Sequence, residues 1–199
     1  MRAEQRVLCL AARTQLDGEE ERRLVELLRS GIEWERLWTE AASHEVLPLV
    51  AASLRGSRDG IETPAGWAAR AQRPLYATLV RNTALVEDLT AVSSALDAAG
   101  VDCLAVKGVV LAETVYGNLA LRPAADIDIL VHPADLPAAR SVLGSLGFHR
   151  GAEPLSEEWT HSHHDPRYLR TSARGDVCLE LHWALWPSSR FRADAGLWA

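Results

Sequence analysis

Two aspartates, Asp126 and Asp128, stand two positions apart at the head of an apolar run, DIDILV. Residues i and i+2 of a strand project from the same face. The run therefore reads as a strand whose carboxylates lie side by side, roughly 6–7 Å apart. At an effective dielectric constant of about 20 their repulsion is roughly 2–3 kcal/mol, and burial adds a desolvation cost. A divalent cation between them reverses the sign of that local interaction, and hard carboxylate oxygens suit Mg²⁺ or Mn²⁺. A solvent-facing strand edge would tolerate the pair without any metal.

Three further features weigh against that plainer reading. Glu180 lies in a second strand-like run, VCLELHWAL, where Leu179 and Leu181 point the other way and His182 shares its face. Lys107-Gly108 sits between an apolar run, VDCLAV, and a short helical one, VVLAETVYG. A glycine there lets a ligand approach the backbone, a helix start offers N–H groups to phosphate, and Lys107 adds a positive charge. Arg122, four residues before Asp126 in a loop-like stretch, could reach a phosphate. His182 is otherwise a packed strand histidine bonded to backbone. The run His161, His163, His164 and Asp165 is a rival metal site of zinc type; a loop that is merely histidine-rich, or one lining the substrate mouth, reads equally simply.

The elements that must position these residues follow from the pattern. The first hundred residues are helical. Asp17 and Glu20 form a capping box, and the helix they open ends at Gly31. Trp34, Leu37, Trp38 and Ala41 recur at helical spacing and read as core. Pro48 marks a helix start or kink. Residues 55–66 form a loop between helices. After Pro74 comes a long amphipathic helix with Leu85, Leu89, Val92 and Leu96 along one face, stopped at Gly100. From residue 101 the pattern is strand (Val101–Val106), short helix to Gly117, loop, strand DIDILV, helix from Pro133, a possible strand start at FHR, a polar excursion over 151–176, and a last strand from Val177 to Leu185. Helices followed by β-α-β-α-β predict an α+β fold. A helical N-terminal region (1–99) precedes a small mixed-sheet core (100–199).

Composition limits the partners. The chain of 199 residues is 48% hydrophobic and 24% charged, with a net charge of −6. That balance gives no electrostatic reason to expect non-specific nucleic-acid binding. Cys9, Cys103 and Cys178 are scattered and odd in number, which suggests reduced thiols. The apolar run Val7–Ala12 is too short for a signal peptide or a membrane span, so the expected location is the cytoplasm, with no membrane partner.

The stretch from Leu104 to Phe148 resembles a poorly characterised bacterial nucleotidyltransferase-like family of the DNA polymerase β-type superfamily. The likeness is carried by Lys107-Gly108 and the helix after them, Tyr116-Gly117, Arg122-Pro123, Asp126-x-Asp128, and Gly147-Phe148. Glu180-Leu181-His182-Trp183 matches the downstream element, and the tryptophan-bearing helices resemble the family's helical lead-in, so the likeness spans roughly residues 33 to 186. It implies transfer of a nucleoside monophosphate from a nucleoside triphosphate to a hydroxyl of a small molecule, peptide or protein, with release of pyrophosphate. Asp126, Asp128 and Glu180 would hold two Mg²⁺ (or Mn²⁺), with Glu180 also a candidate base. Lys107, the N–H groups after Gly108, and Arg122 would meet the phosphates, with His182 beside them. Two departures stand out. The wider superfamily has Gly-Gly or Gly-Ser where Lys107-Gly108 stands, and family members are often longer, so the core over 100–199 is expected to be truncated at its C-terminus, the chain stopping at Ala199 shortly after Glu180. A catalytically inactive, antitoxin-like binding module is the alternative. A D-x-D glycosyltransferase is a third reading, against which only one strand and one helix precede the D-x-D behind the helical segment.

Overall fold

The computed structural model describes residues 1–55, 63–151, 167–172 and 175–184. Within them the chain forms seven α-helices and a five-stranded mixed sheet, an α+β arrangement with a helical N-terminus. It divides into two compact units. One comprises residues 1–82 and 111–123, the other 83–110 and 124–199.

The first unit begins with α1 (Ala3–Ala11), α2 (Gly18–Arg29), α3 (Trp34–Ser43) and α4 (Leu47–Arg55). Asp17 caps α2 through bonds from the Glu19 and Glu20 N–H groups, and Glu20 returns a bond to the Asp17 N–H, which completes the capping box. Gly31 follows at φ +86°, a conformation that favours glycine. Pro48 is the second residue of α4, where its missing N–H costs nothing. Leu24, Leu37, Ala41, Val50 and Leu54 fill the core of this unit. Trp34 and Trp38 set their rings edge-on against buried Trp67, with centroids 4.7 and 5.4 Å away, so these two tryptophans pack against the core while staying partly exposed. Glu4 is buried because its carboxylate accepts the Glu33 N–H at 3.0 Å and so ties α1 to the start of α3.

Helix α5 (Trp67–Ala98) differs from the sequence expectation. It begins seven residues before Pro74 and carries that proline inside it. An interior proline forfeits a backbone bond, and the burial of Trp67 and Ala71 upstream offsets that loss. Gly100 stops the helix as expected, at φ +70°. The part of α5 up to Asn82 belongs to the first unit and the rest to the second. The loop expected over 55–66 falls largely outside the described residues.

The second unit holds the sheet. Its strands are β1 (Cys103–Val106), β2 (Ile127–Val131), β3 (His149–Arg150), β4 (Tyr168–Ser172) and β5 (Gly175–His182), in the order β1-β2-β5-β4-β3. Pairing is antiparallel except between β2 and β5, which run parallel. Ile127, Ile129 and Val131 of β2 and Val177, Leu179 and Leu181 of β5 alternate onto one face. That face packs with Leu85, Val92 and Leu96 of α5 and with Ala139 and Leu143 of α7 (Leu136–Ser145). A 3-10 turn over Pro133–Asp135, capped at the His132 ring, precedes α7, so the helix proper starts three residues later than Pro133 suggests.

Strand β4 is a correction, since it lies inside the stretch read as a polar excursion. Tyr168 is buried against the core opposite Leu179. Arg170, on the same side, stacks its guanidinium on Phe148 at 4.6 Å and pairs with Asp88 of α5. A strand of polar composition is stable there because its charge is matched from neighbouring elements.

Within the first unit, Asn82 is fully buried and donates to the carbonyls of both Leu119 and Arg122 at 2.7 Å. These bonds fix the loop that carries Arg122. Replacing Asn82 with alanine leaves two carbonyls without that donor and is expected to cost about 1–3 kcal/mol. Urea unfolding of the variant measures this; a midpoint equal to wild type contradicts the clasp.

Candidate functional site

The site residues of the second unit lie on the sheet face opposite the helices. In the parallel register of β2 and β5, Asp128 is the direct partner of Glu180. Period-2 alternation then places Asp128 with Leu130 on one strand and Glu180 with His182 on the next. The interleaved Ile127, Ile129, Leu179 and Leu181 hold both strands in place by their burial on the other face. Polar groups thus sit at the middle of the sheet because every second residue anchors the backbone beneath them.

Side-chain contacts knit this face together. His182 Nε2 lies 2.8 Å from Asp128 Oδ1 and 3.5 Å from Glu180 Oε2. Both neighbours are acceptors, so Nε2 carries the hydrogen. Lys107 Nζ donates to the same Asp128 Oδ1 at 3.0 Å. On the far side, Arg167 Nε donates to Glu180 Oε1 at 3.2 Å. The order of charge across the sheet is Lys107, Asp128, Glu180, Arg167, with the two acids flanked by two bases and bridged by the imidazole.

This order sets the protonation states. Burial works against the Asp128 anion, but the bonds from His182 and Lys107 outweigh it and hold its carboxyl below the ordinary aspartate value. Burial also disfavours His182 as a cation, yet its contacts with Asp128 and Glu180 raise its pKa above the ordinary imidazole value. Asp126 moves upward, first through burial and then through the charges of Asp128 and Glu180. It stands one residue ahead of β2, half-buried.

Among the described residues, the carboxylate oxygens of Asp128 and Glu180 and a ring nitrogen of His182 have donor atoms within 4.8 Å of one another. Two hard oxygens and an imidazole suit a divalent cation. Asp126 falls outside that tight group, although it feels the same charges. The structure therefore brings together Lys107, Asp128, Glu180 and His182. Sequence reasoning placed His182 with the nucleotide and not in the donor set. It missed Arg167 altogether. A register signal for Arg167 was present: Ser172 pairs with Gly175, and extending that hairpin ladder sets residue 167 opposite residue 180. Arg122 belongs to the first unit. The histidines at 161, 163 and 164 lie outside the described residues.

The junction before α6 (Gly108–Thr114) has a particular backbone. Lys107 adopts φ +55°, rare for a residue with a side chain, and Gly108 follows at +33°. A Cβ on Gly108 would meet the Asp126 carbonyl oxygen at 3.2 Å and the Ala124 Cβ at 3.9 Å. Glycine is needed here because the residues leading into β2 lie against it, and that close approach keeps Lys107 within reach of Asp128.

The sequence profile of a family described as "Uncharacterised nucleotidyltransferase" matches residues 30–199, and the chain belongs to that family. The matched span includes Lys107, Asp126, Asp128, Glu180 and His182. No curated protein and no solved structure matches the chain. No helix of the described residues is long and apolar enough to cross a membrane.

Two outcomes are expected of the metal-free protein. The contribution of Asp128, whose pKa is lowered, is fully present above the ordinary aspartate value and is lost as pH falls through the lowered one. That of His182, whose pKa is raised, is fully present below the ordinary histidine value and is lost as pH rises through the raised one. Urea midpoints measured across pH in a chelator should therefore decline on both limbs, and Asp128→Asn should flatten both. A variant profile parallel to wild type contradicts the coupling. Separately, Gly108→Ala should lose about 1–3 kcal/mol from its strained backbone, read by the same denaturation; an unchanged midpoint would show that the junction relaxes freely.

Proposed function

We propose that this protein is a metal-dependent nucleotidyltransferase that moves a nucleoside monophosphate from a nucleoside triphosphate to a hydroxyl of a small molecule, peptide or protein. The observation that carries the reading is the donor group of Asp128, Glu180 and His182 at the centre of a mixed sheet, in a chain of a nucleotidyltransferase family.

In this reading Asp126, Asp128 and Glu180 hold Mg²⁺ or Mn²⁺, with His182 against them. Burial first, and then the charges of Asp128 and Glu180, raise the Asp126 pKa, and a cation would relieve the part that comes from charge. The ions, when bound, supply Lewis-acid activation of the acceptor hydroxyl and neutralise phosphate charge. The hydroxyl oxygen attacks the α-phosphorus in line. The bond from that phosphorus to the bridging oxygen breaks, and pyrophosphate leaves with the electron pair. Glu180 takes the hydroxyl proton. Lys107, more than half exposed, turns from Asp128 to the triphosphate, with Gly108 keeping the backbone close. Arg122 is assigned to the developing phosphate charge, and that assignment rests on the family likeness. The three cysteines form no disulfide, which fits a reducing cytoplasm.

Calorimetry tests the reading. Nucleoside triphosphate should bind wild type only with Mg²⁺ or Mn²⁺ present, and that binding should disappear in Asp126→Ala/Asp128→Ala. Triphosphate binding that persists unchanged in the double variant rejects it.

A further inference from the structure

The first unit contains a cavity that shares no residue with the carboxylate site. It measures about 760 Å³, within the range of small-molecule sites. One wall is a face of α5, where Gln72, Arg73, Tyr76 and Leu79 recur at helical spacing. Tyr76 is 70% exposed and Leu79 39% exposed, which is unusual for large apolar side chains so close together. A second wall is the end of α4, with Arg55 at its last turn.

The third wall, from Asn118 to Leu121, is held in shape. Asn118 Oδ1 accepts the Ala120 N–H at 2.8 Å, and its carbonyl accepts the Leu121 N–H at 3.1 Å. Asn82 clasps the Leu119 carbonyl from beneath. The cavity is thus a formed feature of the unit, with a fixed loop on one side and two helices on the others.

Its charge is one-sided. Arg55 and Arg73 line it, and among the described residues no acidic side chain does. The chain carries 27 acidic residues against 21 basic ones, so two arginines with no acid among the described lining residues run against the overall balance. Arg70, one turn earlier on α5, shows the usual arrangement, since it pairs with Glu35 and stacks on Trp38. Among the described residues, no acidic group pairs with Arg55 or Arg73. A guanidinium is always charged and is suited to planar oxyanions. Tyr76, Leu79 and Leu121 supply an apolar surface beside the two charges, and the amides of Gln72 and Asn118 supply hydrogen-bonding groups.

We propose that this cavity binds a small organic anion: one carboxylate, phosphate or sulfonate group held between Arg55 and Arg73, on a flat apolar body that lies against Tyr76 and Leu79. The proposal is independent of the nucleotidyltransferase reading, because none of these residues takes part in that chemistry.

The test uses the full chain and two fluorescent dyes. 8-Anilinonaphthalene-1-sulfonate carries the anion, and N-phenyl-1-naphthylamine is the same apolar body without it. The sulfonate should bind wild type at one site per chain, at least tenfold more tightly than the neutral dye. Arg55→Gln/Arg73→Gln should weaken the sulfonate at least tenfold and leave the neutral dye unchanged. Tyr76→Ala should weaken both dyes. These positions are exposed, and thermal unfolding of each variant alongside wild type verifies that the fold is kept. Absence of sulfonate binding to wild type, sulfonate binding unaffected by the double arginine variant, equal affinity for the two dyes, or no effect of Tyr76→Ala overturns the proposal.

Discussion

The parallel pairing of β2 with β5 is the constraint on which the second unit depends. Among the described residues it is the one parallel contact in the sheet, and it places Asp128 directly beside Glu180. Like charges on adjacent strands repel, and the structure meets that cost in two ways. On the covered face, Ile127, Ile129, Leu179 and Leu181 bury almost completely and hold the register. On the opposite face, Lys107, His182 and Arg167 lie against the two carboxylates. A shift of the pairing by one residue would turn the acids into the apolar layer. The stability of the sheet and the geometry of the site are therefore set by the same register.

The surrounding elements serve this arrangement locally. The left-handed turn at Lys107 and Gly108 redirects the chain after β1 so that the lysine reaches Asp128. Asp126 stays just outside the ladder, where its carboxyl is half-buried and feels both acids. One imidazole spans two carboxylates, with Nε2 closer to Asp128 than to Glu180. The site is already organised by these contacts, so a cation bound there would exchange partners more than order a loose group of side chains.

Much of this could be read in the sequence, and the reasons are local. Strand alternation is a property of the chain itself, so Asp128 and Glu180 stand out as acids whose neighbours must be buried. Helix caps and stops at Asp17, Gly31 and Gly100 are likewise short-range signals. What could not be read depends on distant partners. Pro74 argues for a helix boundary until the anchorage of Trp67 and Ala71 is known. Residues 168–172 look like a loop until Asp88 and Phe148 are seen to match Arg170. His182 looks like a packed strand histidine until the neighbouring strand is identified, because its contact with Asp128 depends on the register that sets Leu130 across from it. Arg167 was missed for the same reason.

The parallel pairing has a consequence for how the protein is made. Asp128 and Glu180 are about fifty positions apart in the chain, and parallel strands cannot be joined by a tight turn. The β1–β2 contact and the β4–β5 hairpin are more local and can form early, whereas the join between them must close a long loop before any contact rewards it. During synthesis, the centre of the sheet stays incomplete until His182 has left the ribosome. Until then the apolar face of β2 has no β5 beside it, and that exposed edge is where a growing chain is most open to wrong pairing.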